Sequence, residues 1–545
     1  MQFFRPLPRS FTKPFSLVVL TAWVVFMAVL VNREYLQASP ANLATDLARY
    51  GSSAVWKGVY YRGEKIGFTV SQVVRTDDGF ELQEDGRLQM TLLGSTSAAA
   101  LHTTARVSEL FVLRSFEFSL DPGTGAVKIA GTVNSPAAGT AGPHRLTVTI
   151  ATVTGTRTEE RELEEAPVLS LNLSRILASG GLTPGARHRF MVLDPATLRN
   201  SPMDVVVGRR QIIRVNDTVV PAFQVEMEFA GLQTTSWITD TGEVVREESP
   251  LGLMSVREDS ERAQGMAVPG RIQADLLRAS AVVPRTAVRI EDPRAVRRIR
   301  LQLEGAEFLF SSPDLQGAGQ RAADNIIEIV DPRTLTAGPA DPDAAQYLKP
   351  EPLIESDAPE IIAEAEKAVV GVQGTRARAE RLTRYVNALL EKKPTVSLPS
   401  AREVLRTKVG DCNEHTALYV AMARALGIPS RIAVGLVYVL GVQGAFYYHA
   451  WPEVYIDEGN GRGLWLPVDP TLNEYPADAT HVRLARGGLE KQAVIVPLLG
   501  RLEMAVLDLD QDPNATPILI GRQQVGLPPI APNAALTNDP CQCDQ

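Results

Sequence analysis

The sequence predicts an α+β protein: an antiparallel β-rich half, then a segment of helices followed by strands, all behind one N-terminal transmembrane helix. Three observations carry this. From about residue 55 to 261, apolar and polar residues alternate between turn signals, the period of half-buried strands. From Asp357 the apolar period lengthens to that of helices, and after Pro429 it returns to strands. Residues 15–31 are uncharged and almost wholly apolar, with Arg5, Arg9 and Lys13 ahead of them and no acidic residue before Glu34.

A chain of 545 residues is too long for one core. The pattern divides it into a cytoplasmic tip and transmembrane signal anchor (1–34), a β-rich domain (50–262), a connector with two strands (263–355), a helix-and-strand domain (356–500) and a C-terminal tail (501–545). Composition is that of a globular protein, 45% hydrophobic and 22% charged. A net charge of −8 without any basic block argues against a nucleic-acid partner. The three cysteines, Cys412, Cys541 and Cys543, are too few for a disulfide framework.

At the N-terminus, the basic flank stays cytoplasmic and sends everything after Asn32 outward. The apolar run exceeds a usual signal-peptide core, which favours an uncleaved anchor over cleavage near Ala38-Ser39. The expected location is the inner membrane, single-pass, with the bulk in the periplasm or outside the cell.

In the β-rich half, residues 59–67 read as a hairpin turning at Gly63-Glu64, and Asp77-Asp78-Gly79 as another turn. Residues 147–153 alternate over a β-branched run, and 237–245 read as strand, turn, strand. Such spacing predicts an antiparallel sheet, a sandwich or a half-open barrel. His102, His144 and His188 lack ligand spacing, so this half reads as a binding or spacer module. Two strand-like runs follow at 299–303 and 326–330, then a Pro, Ala and Asp-rich linker at 332–352.

In the helical segment, Asp357-x-x-Glu360 reads as a capping box ahead of Ile361, Ile362, Ala365 and Val369. Leu382, Tyr385, Val386, Leu389 and Leu390 share one face of a second helix. Ser400-x-x-Glu403 caps a third, over 401–406. Asp411-x-x-Glu414 caps a fourth, with Asp411 at the N-cap and Cys412 at the first helical position. That helix carries Leu418, Ala421, Met422, Ala425 and Leu426 on its apolar side, and Gly427 and Pro429 end it. Strands are expected at 431–439, 445–456 and 463–468.

A thiolate is the nucleophilic form of cysteine, and the free amides of a helix N-terminus favour an anion. The Cys412 amide, free of intrahelical bonds, suits an oxyanion. His449, in an aromatic strand, has the chemistry of the base and acid; Asp469, at a strand end, can fix its tautomer. Trp451 is a candidate wall of the substrate pocket.

The flanking residues add specificity. Gly410-Asp411-Cys412-x-Glu414, residues 423–431 (ARALGIPSR), His449-Ala450-Trp451-Pro452-Glu453-Val454-Tyr455 and Trp465-x-Pro467-Val468-Asp469-Pro470-Thr471 together resemble the bacterial transglutaminase-like superfamily. The resemblance covers about 361–484. It implies a papain-like core, with the cysteine on a helix packed against an antiparallel sheet. It also implies Cys412 as nucleophile, His449 as general base and acid, and Asp469 as orienting carboxylate. The expected function is an exported thiol enzyme that forms an acyl-enzyme at Cys412, resolved by water (peptide or amide hydrolysis) or by an amine (cross-linking). Its partner is a peptide or protein substrate. The alternative is a catalytically silent envelope scaffold or peptide-binding protein.

A zinc set of Cys412, His415 and His449 is incomplete, and His415 with Glu414 reads more simply as the first turn of a capped helix. His481 is expected at the surface. Asp508-x-Asp510-x-Asp512 begins like a calcium loop, but Pro513 and Leu519 stand where glycine and glutamate are needed. No metal and no cofactor are therefore expected.

Overall fold

The alternating half folds into strands joined by short turns. In the computed structural model these are β1 (Val55–Tyr61), β2 (Glu64–Thr76), β3 (Gly79–Leu92), β4 (Ser95–Val107), β5 (Leu113–Asp121), β6 (Val127–Asn134), β7 (His144–Thr152) and β8 (Gly155–Leu163). After helix α1 (Ser170–Ile176) come β9 (Arg187–Asp194), β10 (Arg199–Val215), β11 (Thr218–Phe229), β12 (Leu232–Ile238), β13 (Val244–Glu248) and β14 (Leu253–Glu258). The structure describes residues 53–512, apart from 93–94, 137–141, 230, 250–251, 266–274, 287–289 and 441–443. The expected membrane anchor, Cys541, Cys543 and the tail beyond 512 lie outside the described residues. Among the described residues, no helix is long and apolar enough to cross a membrane.

These fourteen strands form one sheet, ordered β8 to β1 and then β14 to β9. It consists of two meanders that meet where β1 pairs antiparallel with β14. The alternation is literal: in β6, Val127, Ile129, Gly131 and Val133 are buried and the residues between them exposed. The first turn falls on Arg62-Gly63 rather than Gly63-Glu64. Both residues have positive φ (49° and 84°), the geometry of a tight hairpin turn, and Glu64 already belongs to β2. Helix α1 links the two outer strands and buries Leu173 against the apolar face of β9 to β12.

Beyond β14 and the short helices α2 (Ser260–Gln264) and α3 (Leu276–Ala279), a second sheet is built from β15 (Val296–Glu304), β16 (Gln320–Ala323) and β17 (Ile326–Val330). Its fourth strand comes from the region read as tail: β25 (Glu503–Gln511) pairs antiparallel with β15. Met504 and Val506 point into the core, while acidic residues on the other side obscure the strand signal. Arg298 Nη2 lies 2.8 Å from Asp508 and Arg297 Nη2 2.7 Å from Asp512. Two carboxylates of the would-be calcium loop are thus engaged by arginine.

The third unit contains β18 (Gly338–Pro339), α4 (Pro359–Ala368), α5 (Thr375–Leu389), β19 (Glu391–Lys392), α6 (Ala401–Thr407), β20 (Val409–Gly410) and α7 (Cys412–Ala425). It continues with β21 (Ser430–Val439), β22 (Ala445–Gly459), β23 (Arg462–Pro467) and β24 (Val482–Gly487). The sheet order is β18-β23-β22-β21-β24. The span read as a linker packs on this sheet: β18 pairs with β23, and Trp465 Nε1 donates to Asp341 at 2.8 Å.

Two helix readings change. α4 starts at Pro359 with Ala358 at the N-cap, so the Asp357 capping box does not form; proline suits the first position because that N–H needs no partner. Glu360 pairs with Arg402 instead. α7 is not amphipathic in place: every residue from Glu414 to Arg424 is buried. It is enclosed by α4, α5 and α6 on one side and by β21 and β22 on the other. Several of its polar groups are met inside the fold. Thr416 Oγ1 donates to Ala450 O (3.0 Å), Tyr419 OH to Ala379 O (3.1 Å) and Arg424 Nε to Ser430 O (2.9 Å).

The β-rich half also reaches this unit. Val396 and Leu398, in the segment ahead of α6, pack against the core that holds Phe116 and Phe118, and Arg406 Nη2 donates to Thr124 O at 2.6 Å.

Candidate active site

The capping box at α7 forms as its residue types dictate. Asp411 is extended, its side chain accepts from Asn413 N at 2.9 Å, and Glu414 Oε2 accepts from Asp411 N at 2.8 Å. Gly410 is required here, because a Cβ would sit 2.2 Å from Glu414 Cβ. Glu414 Oε1 takes hydrogen bonds from Thr395 (3.0 Å) and Ser397, tying the preceding loop to the first turn. Cys412 follows at the first helical position, where its amide has no intrahelical acceptor. It is partly accessible, and its thiol meets the backbone of Ala450 on β22.

The electrostatics of the thiol differ from the sequence argument. The helix terminus favours a thiolate. Burial, then Asp411, Glu414 and Asp469, push the thiol well above its ordinary range, with the Ala450 contact working the other way. A count of helix-terminus effects alone misses the burial and misses Asp469, which arrives from another part of the chain.

His449 is on β22 directly opposite Gly435 of β21. Its Nε2 donates to Asp469 Oδ2 at 2.7 Å, leaving Nδ1 as the nitrogen free to act as base. Asp469 follows β23 and is fully buried; its other oxygen accepts from Thr471 N (2.7 Å) and Leu472 N (2.9 Å). Burial opposes its ionisation, but His449 and His481 outweigh that and hold the carboxyl far below its usual range. The structure therefore brings His449 and Asp469 into contact, and sets Cys412 against the residue next to His449.

Trp451 has a different place from the one expected. It is 1% exposed and stacks near the His449 ring, with centroids 6.0 Å apart, so it braces the imidazole rather than walling an open pocket.

His481 corrects the expectation of a surface residue: it is buried, and its Nε2 lies 3.1 Å from the same Asp469 oxygen that His449 uses. Nothing in its spacing from Asp469 signals this. The available clue is the rarity of histidine: of six in the chain, three fall between positions 415 and 481. His415 is also fully buried, its Nδ1 2.7 Å from Asp411 O. Burial holds it down to about 4, so it is a neutral donor within the first turn.

The expected-incomplete zinc set of Cys412, His415 and His449 is not drawn together among the described residues. The compact groups with ligand-type atoms are His449, Asp469 and His481, and Glu474, Asp478 and His481. Both are already internally hydrogen-bonded: Asp469 to two imidazoles, Asp478 to Thr480 and His481, and Glu474 to Arg294 Nε at 2.9 Å. They form a hydrogen-bonded polar network.

Residues 363–470 match the family model of the transglutaminase-like superfamily. No curated protein matches the chain. Among solved structures, a candidate cysteine protease from Cytophaga hutchinsonii is 20% identical over 40% of this chain and 90% of that one, with a TM-score of 0.28. A β-barrel-like protein of a domain of unknown function from Brucella abortus is 11% identical over 37% and 93%, with a TM-score of 0.29. The periplasmic domain of TgpA from Pseudomonas aeruginosa, bound to ethylmercury, is 21% identical over 29% and 60%, with a TM-score of 0.20.

Proposed function

We propose, from the premise that residues 363–470 are a transglutaminase-like superfamily domain, that the chain is a thiol enzyme forming an acyl-enzyme at Cys412. The observation that supports this most directly is the placement of Cys412 at the first turn of α7, against the backbone of Ala450, the residue that follows a His449 whose Nε2 is bonded to Asp469.

With Nε2 protonated toward Asp469, Nδ1 of His449 carries the lone pair. The thiol rests protonated, so it gives its proton to Nδ1 as the sulfur attacks an amide carbonyl carbon. The Cys412 amide donates to the oxyanion. The carbon–nitrogen bond then breaks, Nδ1–H protonates the departing amine, and a thioester remains. Water or a second amine attacks that thioester, His449 takes up its proton, and the thiol is restored with a carboxylic acid or a new amide as product.

The substrate class is a peptide or protein amide. The N-terminal segment, basic and then apolar over 15–31, supports a membrane-anchored enzyme whose domain works outside the inner membrane. A reporter fused after residue 50 should be active only when exported; activity confined to the cytoplasm would contradict that location.

The reaction is tested by labelling the full chain with an electrophilic thiol probe and, separately, by incubating the unlabelled chain with a glutamine-containing peptide with and without a primary amine. Labelling should vanish in Cys412→Ala when Cys541 and Cys543 are changed to Ser in both proteins. Product mass then separates hydrolysis from transamidation. Equal labelling of the variant rules the reading out, and full complementation by Cys412→Ser favours a scaffold.

A further inference from the structure

Asp469 accepts four hydrogen bonds. Two come from its own loop, and two come from histidines on different elements: His449 on β22 and His481, which immediately precedes β24. His481 is constrained on both ring nitrogens. Nε2 lies 3.1 Å from Asp469 Oδ2, and Nδ1 lies 3.2 Å from the Asp478 carbonyl oxygen and 3.3 Å from Asp478 Oδ1. A carbonyl and an ionised carboxylate only accept, so both nitrogens must carry hydrogen. A ring that donates from both nitrogens is an imidazolium.

The geometry points to His481 as a positioning residue: a buried imidazolium that holds Asp469 for His449 and offsets the carboxylate's charge at Cys412. This rests on the acyl-transfer reading of Cys412, His449 and Asp469. The charge environment agrees. Burial opposes protonation of His481, yet Asp469 and Asp478 outweigh it and push the ring well above its ordinary value. Asp478 Oδ1 also accepts from Thr480 N (2.8 Å) and Thr480 Oγ1 (2.6 Å), beside His481 Nδ1. Glu474, pushed up to about 8 by burial and then by Asp478, faces Arg294 from the turn before β15. Arg333 feels Asp478, and Lys392 on β19 feels Asp469. From β22, Trp451 meets the His481 ring edge-on at 5.1 Å, and His449 lies 5.9 Å away.

Asp469 is one of the three carboxylates that raise the Cys412 thiol. Without the imidazolium its charge stands less balanced, and the thiol rises further. The residue thus acts on the sulfur through Asp469, without touching substrate.

The test uses the full chain with Cys541 and Cys543 changed to Ser, and follows the pH dependence of Cys412 alkylation by iodoacetamide. His481→Gln keeps a donor toward Asp469 but removes the charge. The rise of alkylation should move to higher pH by about one unit. A purely structural role would lower the yield of folded protein without moving the curve. A folded His481→Gln whose curve coincides with that of the parent overturns the inference, provided His449→Gln does alter it. Indifference to His449→Gln as well overturns the acyl-transfer reading and this inference with it. If His481→Gln does not fold, nitrogen-15 spectra of histidine rings in the parent decide. A doubly protonated ring at pH 8 that persists in His449→Gln supports the inference, and its absence overturns it.

Discussion

Replacing Asp469 with Asn changes one oxygen into an amide nitrogen at a fully buried position. The remaining oxygen will stay with Thr471 N and Leu472 N, whose bonds of 2.7 and 2.9 Å are fixed by the turn. The new NH2 then stands where Oδ2 accepted from His449 and His481. Donor meets donor twice. His449 can relieve its clash only by moving its proton to Nδ1, which removes the lone pair needed at the thiol. A charge-assisted hydrogen bond of this kind is worth about 1.5–3 kcal/mol. Losing the upper value in the productive tautomer slows reaction about a hundredfold at 1.36 kcal/mol per tenfold. A comparable loss appears in folding stability, because His481 loses an acceptor too. The assay is the second-order rate of Cys412 alkylation at neutral pH in a background without Cys541 and Cys543, alongside urea unfolding. An Asp469→Asn variant that reacts within threefold of the parent, with unchanged unfolding, would refute the tautomer argument.

Two further outcomes follow from buried groups around the same strands. Gly435→Ala should cost about 1–3 kcal/mol in urea unfolding, because its Cβ would meet the Val482 carbonyl oxygen at 1.9 Å, a backbone atom that cannot step aside; an unchanged midpoint would count against the β21–β24 register. Glu453, fully buried, opposes ionisation by burial, yet Arg483 and Arg431 bring it from 4.5 down to about 2. A depressed carboxylate stabilises the fold above its unfolded value and loses that contribution as pH falls through its folded one. About 3 kcal/mol should therefore disappear between pH 5 and 2, a loss absent from Glu453→Gln. Parallel acid-unfolding curves for the two proteins would refute it.

Much of the site was legible because its signals are local. Asp411 and Glu414 cap α7 through bonds between neighbours three residues apart, so the position of Cys412 could be read from five consecutive letters. The same logic located α6 behind Ser400. It failed at Asp357, where Pro359 fits the first helical position one residue later and shifts the start. Strand periods were equally local, but β25 was hidden because alternation between core and acidic surface in a short segment resembles a charged tail.

What was not legible depends on partners far apart in sequence. Amphipathicity suggested a half-exposed α7, but three other helices and a sheet enclose it. Trp451 and His481 looked like a pocket wall and a surface residue. The β22–β21–β24 pairing instead buries both, His481 against the Asp469 carboxylate and Trp451 against the rings of His449 and His481. The raised thiol likewise depends on burial first, and then in part on Asp469, both of which reach Cys412 only through the fold.

The sequence by itself determined the residue types, the helix cap and the order cysteine, histidine, aspartate, because each is written in short-range bonding and periodicity. Only the tertiary structure decided which charges share a buried space. Hydrogen bonds between distant segments and the loss of solvent set those energies, and neither leaves a periodic trace in the chain.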